Sequence, residues 1–200
     1  MKKNNIIIAG VPRAGKSTMS HMLSREFGYQ HVSMDAIIAS IETVFPELDI
    51  KWWPCTAEES EGIDVLRNSS EKIALLIKSM IESGEYDEFE PGMIVDVYQL
   101  LPEHYIKYLK GKNCEIAYFL TSDVTPEERF ALHRLHDTEK DYTFCFSDDD
   151  MRSHCAYVVE KSLYFKNQCI EFGLPYYETA RNRTTVFDLF IESFQENHNK

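Results

Sequence analysis

The feature that most constrains this chain is a glycine loop wedged between a strand and a helix near its N-terminus. Gly10-Val11-Pro12-Arg13-Ala14-Gly15-Lys16-Ser17-Thr18 follows the apolar run Ile6-Ile7-Ile8-Ala9. It leads into a segment, about Lys16 to Phe27, where Met19, Met22, Leu23 and Phe27 recur at helical spacing before Gly28. Gly10 to Ser17 matches G-x-x-x-x-G-K-[ST] in full, in the strand-loop-helix context that gives the pattern its physical meaning. Glycines let the backbone curl until several N–H groups converge on one anion, and the helix adds the positive end of its dipole. The alternative is a plain glycine turn carrying a surface lysine. The complete match in this context argues against it. Gly10, Arg13, Ala14, Gly15, Lys16, Ser17 and Thr18 are therefore the candidate phosphate cradle. Lys16 is expected to reach the β- and γ-phosphate oxygens, Ser17 to offer its hydroxyl to Mg²⁺, and Thr18 to sit near the α-phosphate.

Beyond the loop, strands and helices alternate. A strand at Gln30 to Ser33 delivers Asp35 to a helix, Ala36 to Phe45, that Pro46 ends. Glu47 to Asn68 is irregular and acidic, and Ser69-Ser70-Glu71 reads as the opening of a helix through Ile81. Met93-Ile94-Val95-Asp96-Val97 is a buried parallel strand with a carboxylate near its end, followed by a helix from Pro102 to Lys110. Glu115 to Leu120 is the next strand, and Thr125-Pro126-Glu127-Glu128 starts a helix that continues through Leu135. Ser147 before Asp148, Asp149 and Asp150 caps a long helix to about Phe172. Tyr176-Tyr177 is the last strand, and Val186 to Phe194 is the last helix. This alternation implies an α/β fold with a parallel sheet covered on both faces.

Composition narrows the partners. With 200 residues the chain suits one domain with inserts, and a net charge of -12 opposes binding to nucleic-acid backbones or anionic membranes. No apolar run approaches the roughly 20 residues of a membrane helix. Five scattered cysteines without a C-x-x-C pair suit reduced thiols and a cytoplasmic location. His133, His136, Cys145 and Cys155 also lack the paired spacing of a zinc site. No Gly-x-Ser-x-Gly elbow and no convincing Asn-Lys-x-Asp guanine-reading segment is present.

On Gly10 to Thr18, Asp35, Asp96 and an arginine-bearing helix after the fourth strand, the chain resembles the small P-loop kinases, the group of nucleoside monophosphate kinases and shikimate kinase. The resemblance implies a three-layer P-loop NTPase fold over residues 1–200, with a five-stranded parallel sheet, a substrate-binding insert at about 46–70 and a lid at about 125–147. It implies ATP and Mg²⁺ as ligands and a small-molecule acceptor. Asp35 then resembles the carboxylate near the acceptor hydroxyl or the Mg²⁺ shell, and it could equally be the N-cap of the Ala36 helix. Asp96 resembles the carboxylate that holds Mg²⁺ through water, although Asp96-Val97-Tyr98 departs from the Asp-Gly or Glu-Gly common in the family. Arg129 and Arg134 fall where the lid supplies phosphate clamps, with surface ion pairs as the alternative. Arg181 and Asn182 fall where the C-terminal loop approaches the nucleotide base.

Trp52, Trp53 and Tyr86 either line an acceptor pocket or cover the core. The expected activity is transfer of the γ-phosphate of ATP to a small-molecule hydroxyl or phosphate. The alternative is a nucleotide-binding regulatory or interaction protein, which the missing glycine after Asp96 favours.

Overall fold

The computed structural model describes residues 5–51, 62–84 and 92–198. Five strands, β1 (Asn5–Gly10), β2 (Gln30–Ser33), β3 (Met93–Val97), β4 (Cys114–Leu120) and β5 (Tyr176–Glu178), form one sheet in the order β2-β3-β1-β4-β5. Every pairing is parallel. Parallel neighbours need long crossovers, and helices supply them. These are α1 (Lys16–Phe27), α2 (Met34–Val44), α3 (Gly62–Ser83), α4 (Pro102–Tyr108), α5 (Pro126–His136) and α6 (Asp148–Phe172), with α7 (Arg183–His198) closing the chain. Helix α1 packs on β1, β2 and β3, α6 on β4, and α7 on β5. No described helix is long and apolar enough to cross a membrane.

Strand β1 is the centre of the sheet. Its six residues are all buried, which is why it reads as a continuous apolar run rather than an alternating one. Full burial of Ile7 and Ile8 contributes about 2 kcal/mol each. The register sets Ile8 beside Asp96 of β3 on one side and Ala117 of β4 on the other. Asp96 is thereby carried to the same edge of the sheet as the glycine loop.

Helix boundaries differ from the sequence reading in four places. Helix α2 begins at Met34 with Ser33 as its N-cap, so Asp35 is inside the first turn and is not the cap. Helix α3 begins at Gly62, well before Ser69 and Ser70, which are buried within it. Ser70 Oγ accepts a bond from Leu101 N at 2.7 Å and contacts His104 Nδ1 at 2.8 Å, anchoring the start of α4. A serine with tertiary partners looks like a cap when only its sequence neighbours are visible. Helix α4 stops at Tyr108, short of Lys110, and α7 begins at Arg183, three residues before Val186. Helix α5 starts where expected, with Pro126 in its first turn and a capping box between Thr125 and Glu128, and α6 has the expected Ser147 cap. Trp52, Trp53 and Tyr86 lie outside the described residues.

The tightest point in the fold is Gly10. Its φ is 125°, and a Cβ there would lie 2.0 Å from the Phe119 carbonyl oxygen of β4. Gly10→Ala should therefore cost on the order of 3 kcal/mol, from backbone strain plus the forced displacement of β4. A denaturant melt of the variant checks it, and a midpoint equal to wild type would contradict the close approach.

Candidate active site

Between β1 and α1 the loop is held open by side chains that take its carbonyl groups. Val11 O accepts from Lys16 Nζ at 3.0 Å and Pro12 O from Arg129 Nη2 at 2.9 Å. Arg13 O accepts from Arg183 Nη2 at 2.7 Å and Ala14 O from Thr179 Oγ1 at 2.8 Å. In a trans peptide the C=O and the next N–H point opposite ways, so fixing the Pro12 and Ala14 carbonyls turns the amides of Arg13 and Gly15 to the opposite side. Two residues adopt left-handed backbone here, Arg13 at φ 61° and Gly15 at φ 90°. Gly15 also touches its cover: a Cβ there would come within 2.6 Å of Phe187 Cζ of α7.

Three charged groups converge on this loop. Lys16 is buried, and burial lowers its pKa while Asp96 and then Asp35 act to raise it. Asp96 is 6% exposed, and its carboxyl still titrates below the usual range. Burial opposes that shift, but His31, Lys16 and Ser17 together outweigh it. The His31 Nε2–Asp96 Oδ2 distance is 3.8 Å, beyond hydrogen-bond range. Asp35 is raised, chiefly by burial between the cavity walls, with Asp96 adding to the shift and Lys16 opposing it. The carboxyl remains reachable because the cavity itself is open. Ser17 and Thr18 are exposed to the same space. An ionised carboxylate beside a serine hydroxyl is an oxygen donor set that fits Mg²⁺, which commonly takes one or two protein oxygens and completes its shell with phosphate and water.

The cavity encloses about 680 Å³. Its floor is Pro12, Arg13 and Gly15 to Thr18, and its walls are Asp35, Tyr98, Tyr142, Phe146 and Arg183. The segment after α5 covers one side. There Asp137 and Asp141 both bind the Arg13 guanidinium, and Asp137 also takes the Thr143 hydroxyl and lies 3.1 Å from His133 Nδ1. Burial lowers the Arg13 pKa, but these two carboxylates more than reverse it.

The other sequence candidates lie around rather than in this space. Arg129 is 3% exposed and supports the loop from behind through Pro12; burial lowers it to about 10. Arg134 bonds Asp148 and the Phe146 carbonyl. Arg181 bonds Glu128 and the Asp123 carbonyl, and exposed Asn182 is not part of the cavity lining. The residues that sequence reasoning passed over are Tyr98, Tyr142, Phe146, Thr179 and Arg183. Arg183 carried a signal, standing one position from Asn182. The aromatics carried none, because nothing local separates a wall from a core.

Solved structures share this architecture over nearly the whole chain. The shikimate kinase from Acinetobacter baumannii in complex with shikimate has a TM-score of 0.56 at 16% identity, covering 99% of this chain and 96% of that one. The shikimate kinase from Bacteroides thetaiotaomicron has a TM-score of 0.52 at 15% identity, covering 98% and 99%. The chain has the shikimate kinase fold. No protein-family model matches the sequence, and no curated protein matches it.

The segment after α5 rests on α6 through His154, which makes ring contacts with Tyr142 and Phe146 at 5.9 Å and 5.7 Å between centroids. Burial, then the charge of Arg129, depresses the His154 pKa from 6.5 to about 3. The unfolded imidazole thus binds a proton at a pH where the folded one stays neutral. Stability is full above about pH 6.5 and declines as pH falls toward 3. Denaturant midpoints from pH 7 to pH 5 should fall for wild type and fall less steeply for His154→Gln. Equal slopes would remove His154 from this dependence.

Proposed function

We propose that the protein is an ATP-dependent phosphotransferase that moves the γ-phosphoryl group to a hydroxyl or phosphate of a small molecule, in the cytosol. The observation that carries this reading is the common cavity: Lys16, Ser17 and Thr18 form its floor while Asp35 stands in its wall. A triphosphate on the loop amides and an acceptor beside Asp35 would share one space. The fold held in common with shikimate kinases, one of them solved with shikimate bound, supports the same reading.

Phosphoryl transfer asks the protein mainly to position the reactants and neutralise charge. In this reading Lys16 exchanges the Val11 carbonyl for β- and γ-phosphate oxygens, and the amides of the loop bind the remaining oxygens. Ser17, and Asp96 through water, would hold Mg²⁺, which would supply positive charge to the phosphates. Asp35, its pKa raised by burial, accepts the proton of the acceptor hydroxyl. Residues 125–147 act as the lid, and the insert at about 46–70 borders the acceptor. Arg129 acts as a positioning residue through Pro12, and Arg183 through Arg13. Arg134 and Arg181 would have to leave Asp148 and Glu128 to meet a nucleotide.

A nucleotide-controlled interaction protein is the second reading, favoured by the ion pairs of Arg13 with Asp137 and Asp141. They link the phosphate loop directly to the lid, so that an arriving phosphate and the two carboxylates compete for one guanidinium.

One measurement tests the phosphate site common to both readings, and a second separates them. Lys16→Ala should weaken ATP binding by about 50-fold or more in calorimetry, the loss of charge-assisted bonds to phosphate. Coupled detection of ADP across a metabolite panel should find an acceptor that raises turnover, with Asp35→Asn lowering kcat by roughly 10²-fold or more and leaving ATP affinity in place. ATP binding without any acceptor-stimulated ADP release would sink the phosphotransferase.

A further inference from the structure

The cations around the phosphate loop are held in two different ways. Lys16, Arg129 and Arg183 each donate to an uncharged backbone oxygen, those of Val11, Pro12 and Arg13. The Arg13 side chain instead donates to anions, Nη2 to Asp137 and Nη1 to Asp141, one carboxylate on each arm of the fork.

Both carboxylates come from the segment 137–146. Asp137 is the C-cap residue of α5, takes the Thr143 hydroxyl as well and lies 3.1 Å from His133 Nδ1. Asp141 accepts from Thr138 N at 2.8 Å and Thr138 Oγ1 at 2.9 Å. Arg13, and after it the Thr138 amide, pushes the Asp141 carboxyl down to about 2. The acids are thus ionised and already aimed at the loop. The backbone bonds of the segment close turns within it: Asp141 N to Thr138 O at 2.9 Å, Phe144 N to Asp141 O at 2.9 Å and Phe146 N to Thr143 O at 3.1 Å. Side chains tie it to the rest of the molecule, namely Arg13 on the loop, the His154 ring against Tyr142 and Phe146, and Arg134 on the Phe146 carbonyl.

We propose that segment 137–146 is an autoinhibitory strap: its two carboxylates take the place of a phosphate on Arg13 while the loop is empty, and a polyphosphate that binds the loop displaces them and frees the segment. The proposal rests on the reading that Gly10 to Thr18 binds phosphate, and not on transfer to an acceptor. A guanidinium fork suits two carboxylate oxygens and two phosphate oxygens equally well. At Lys16 and Arg183 an arriving polyphosphate competes with neutral carbonyls, but at Arg13 it competes with two charges. Carboxylates that stayed in place would repel the phosphates beside them, the more strongly the less water the cavity holds. Displaced, Asp137 keeps Thr143 and His133, and Asp141 keeps Thr138, so release exchanges partners rather than stranding a charge. Tyr142 and Phe146 belong both to the strap and to the cavity wall, so a ligand on the loop loosens that wall.

The test combines calorimetry of tripolyphosphate and ATP, with Mg²⁺ present, and amide hydrogen exchange across 138–146. Asp141→Asn removes one charged competitor, so both ligands should bind it about fivefold more tightly than wild type, the closed fraction of the strap no longer subtracting from affinity. In the wild-type protein, exchange across 138–146 should rise about threefold or more when tripolyphosphate is added, and Asp141→Asn should exchange faster before any ligand is present. The exchange measurement on wild type needs no variant, so it decides the matter even where Asp141→Asn fails to fold. Exchange that slows or stays constant on ligand binding overturns the strap and leaves the phosphate site standing, as does a folded Asp141→Asn that binds no more tightly. If neither ligand binds wild type or Asp141→Asn, the phosphate-loop reading itself falls and takes the strap with it.

Discussion

The tethering of four consecutive loop carbonyls is the constraint on which the rest of the site depends. A left-handed arginine and a buried lysine within four residues are individually unfavourable. They persist because Lys16, Arg129, Arg183 and Thr179 each occupy one carbonyl from Val11 to Ala14. Those donors come from α1, α5, α7 and the turn after β5. A loop of a few residues therefore reports on nearly the whole chain. The sheet contributes the other half of the tethering, since Val11 N bonds Phe119 O at 3.1 Å and Thr179 Oγ1 bonds Leu120 O as well.

The same network sorts the charges. The arginines around the loop are spent on backbone oxygens or on Asp137 and Asp141, and Asp96 is kept ionised near Lys16 and His31. Asp35 is left as the carboxylate that both faces the cavity and has a raised pKa. Asp35 and Lys16 then line one cavity, each acting on the pKa of the other. Tyr98, two positions after Asp96, is buried and adds an aromatic side chain to the cavity lining.

Much of this was legible in the chain. The Gly10 to Thr18 pattern, the apolar runs of β1 and β3, and the caps at Thr125 and Ser147 are local: each is decided by residues within a few positions of one another. Helix α6 runs from Asp148 to Phe172 as the cap and Gly173 indicate. Where a local pattern had a distant partner, reading it alone misled. Ser69-Ser70 resembles a helix start, yet Ser70 is bonded to Leu101, 31 positions away, and the helix has already run from Gly62. Asp35 resembles a cap, yet Ser33 fills that position.

By itself, the sequence determined that a phosphate-binding loop joins β1 to α1 in a parallel α/β sheet, because hydrophobic period and glycine spacing are short-range properties. Only the tertiary structure decided which side chains hold that loop and which face its cavity. Arg129 and Arg183 each meet a loop carbonyl across more than a hundred residues, Arg129 at a separation of 117 and Arg183 at 170. An arginine's charge is a property of its residue type, but the oxygen that claims it is settled by how the helices pack on the sheet.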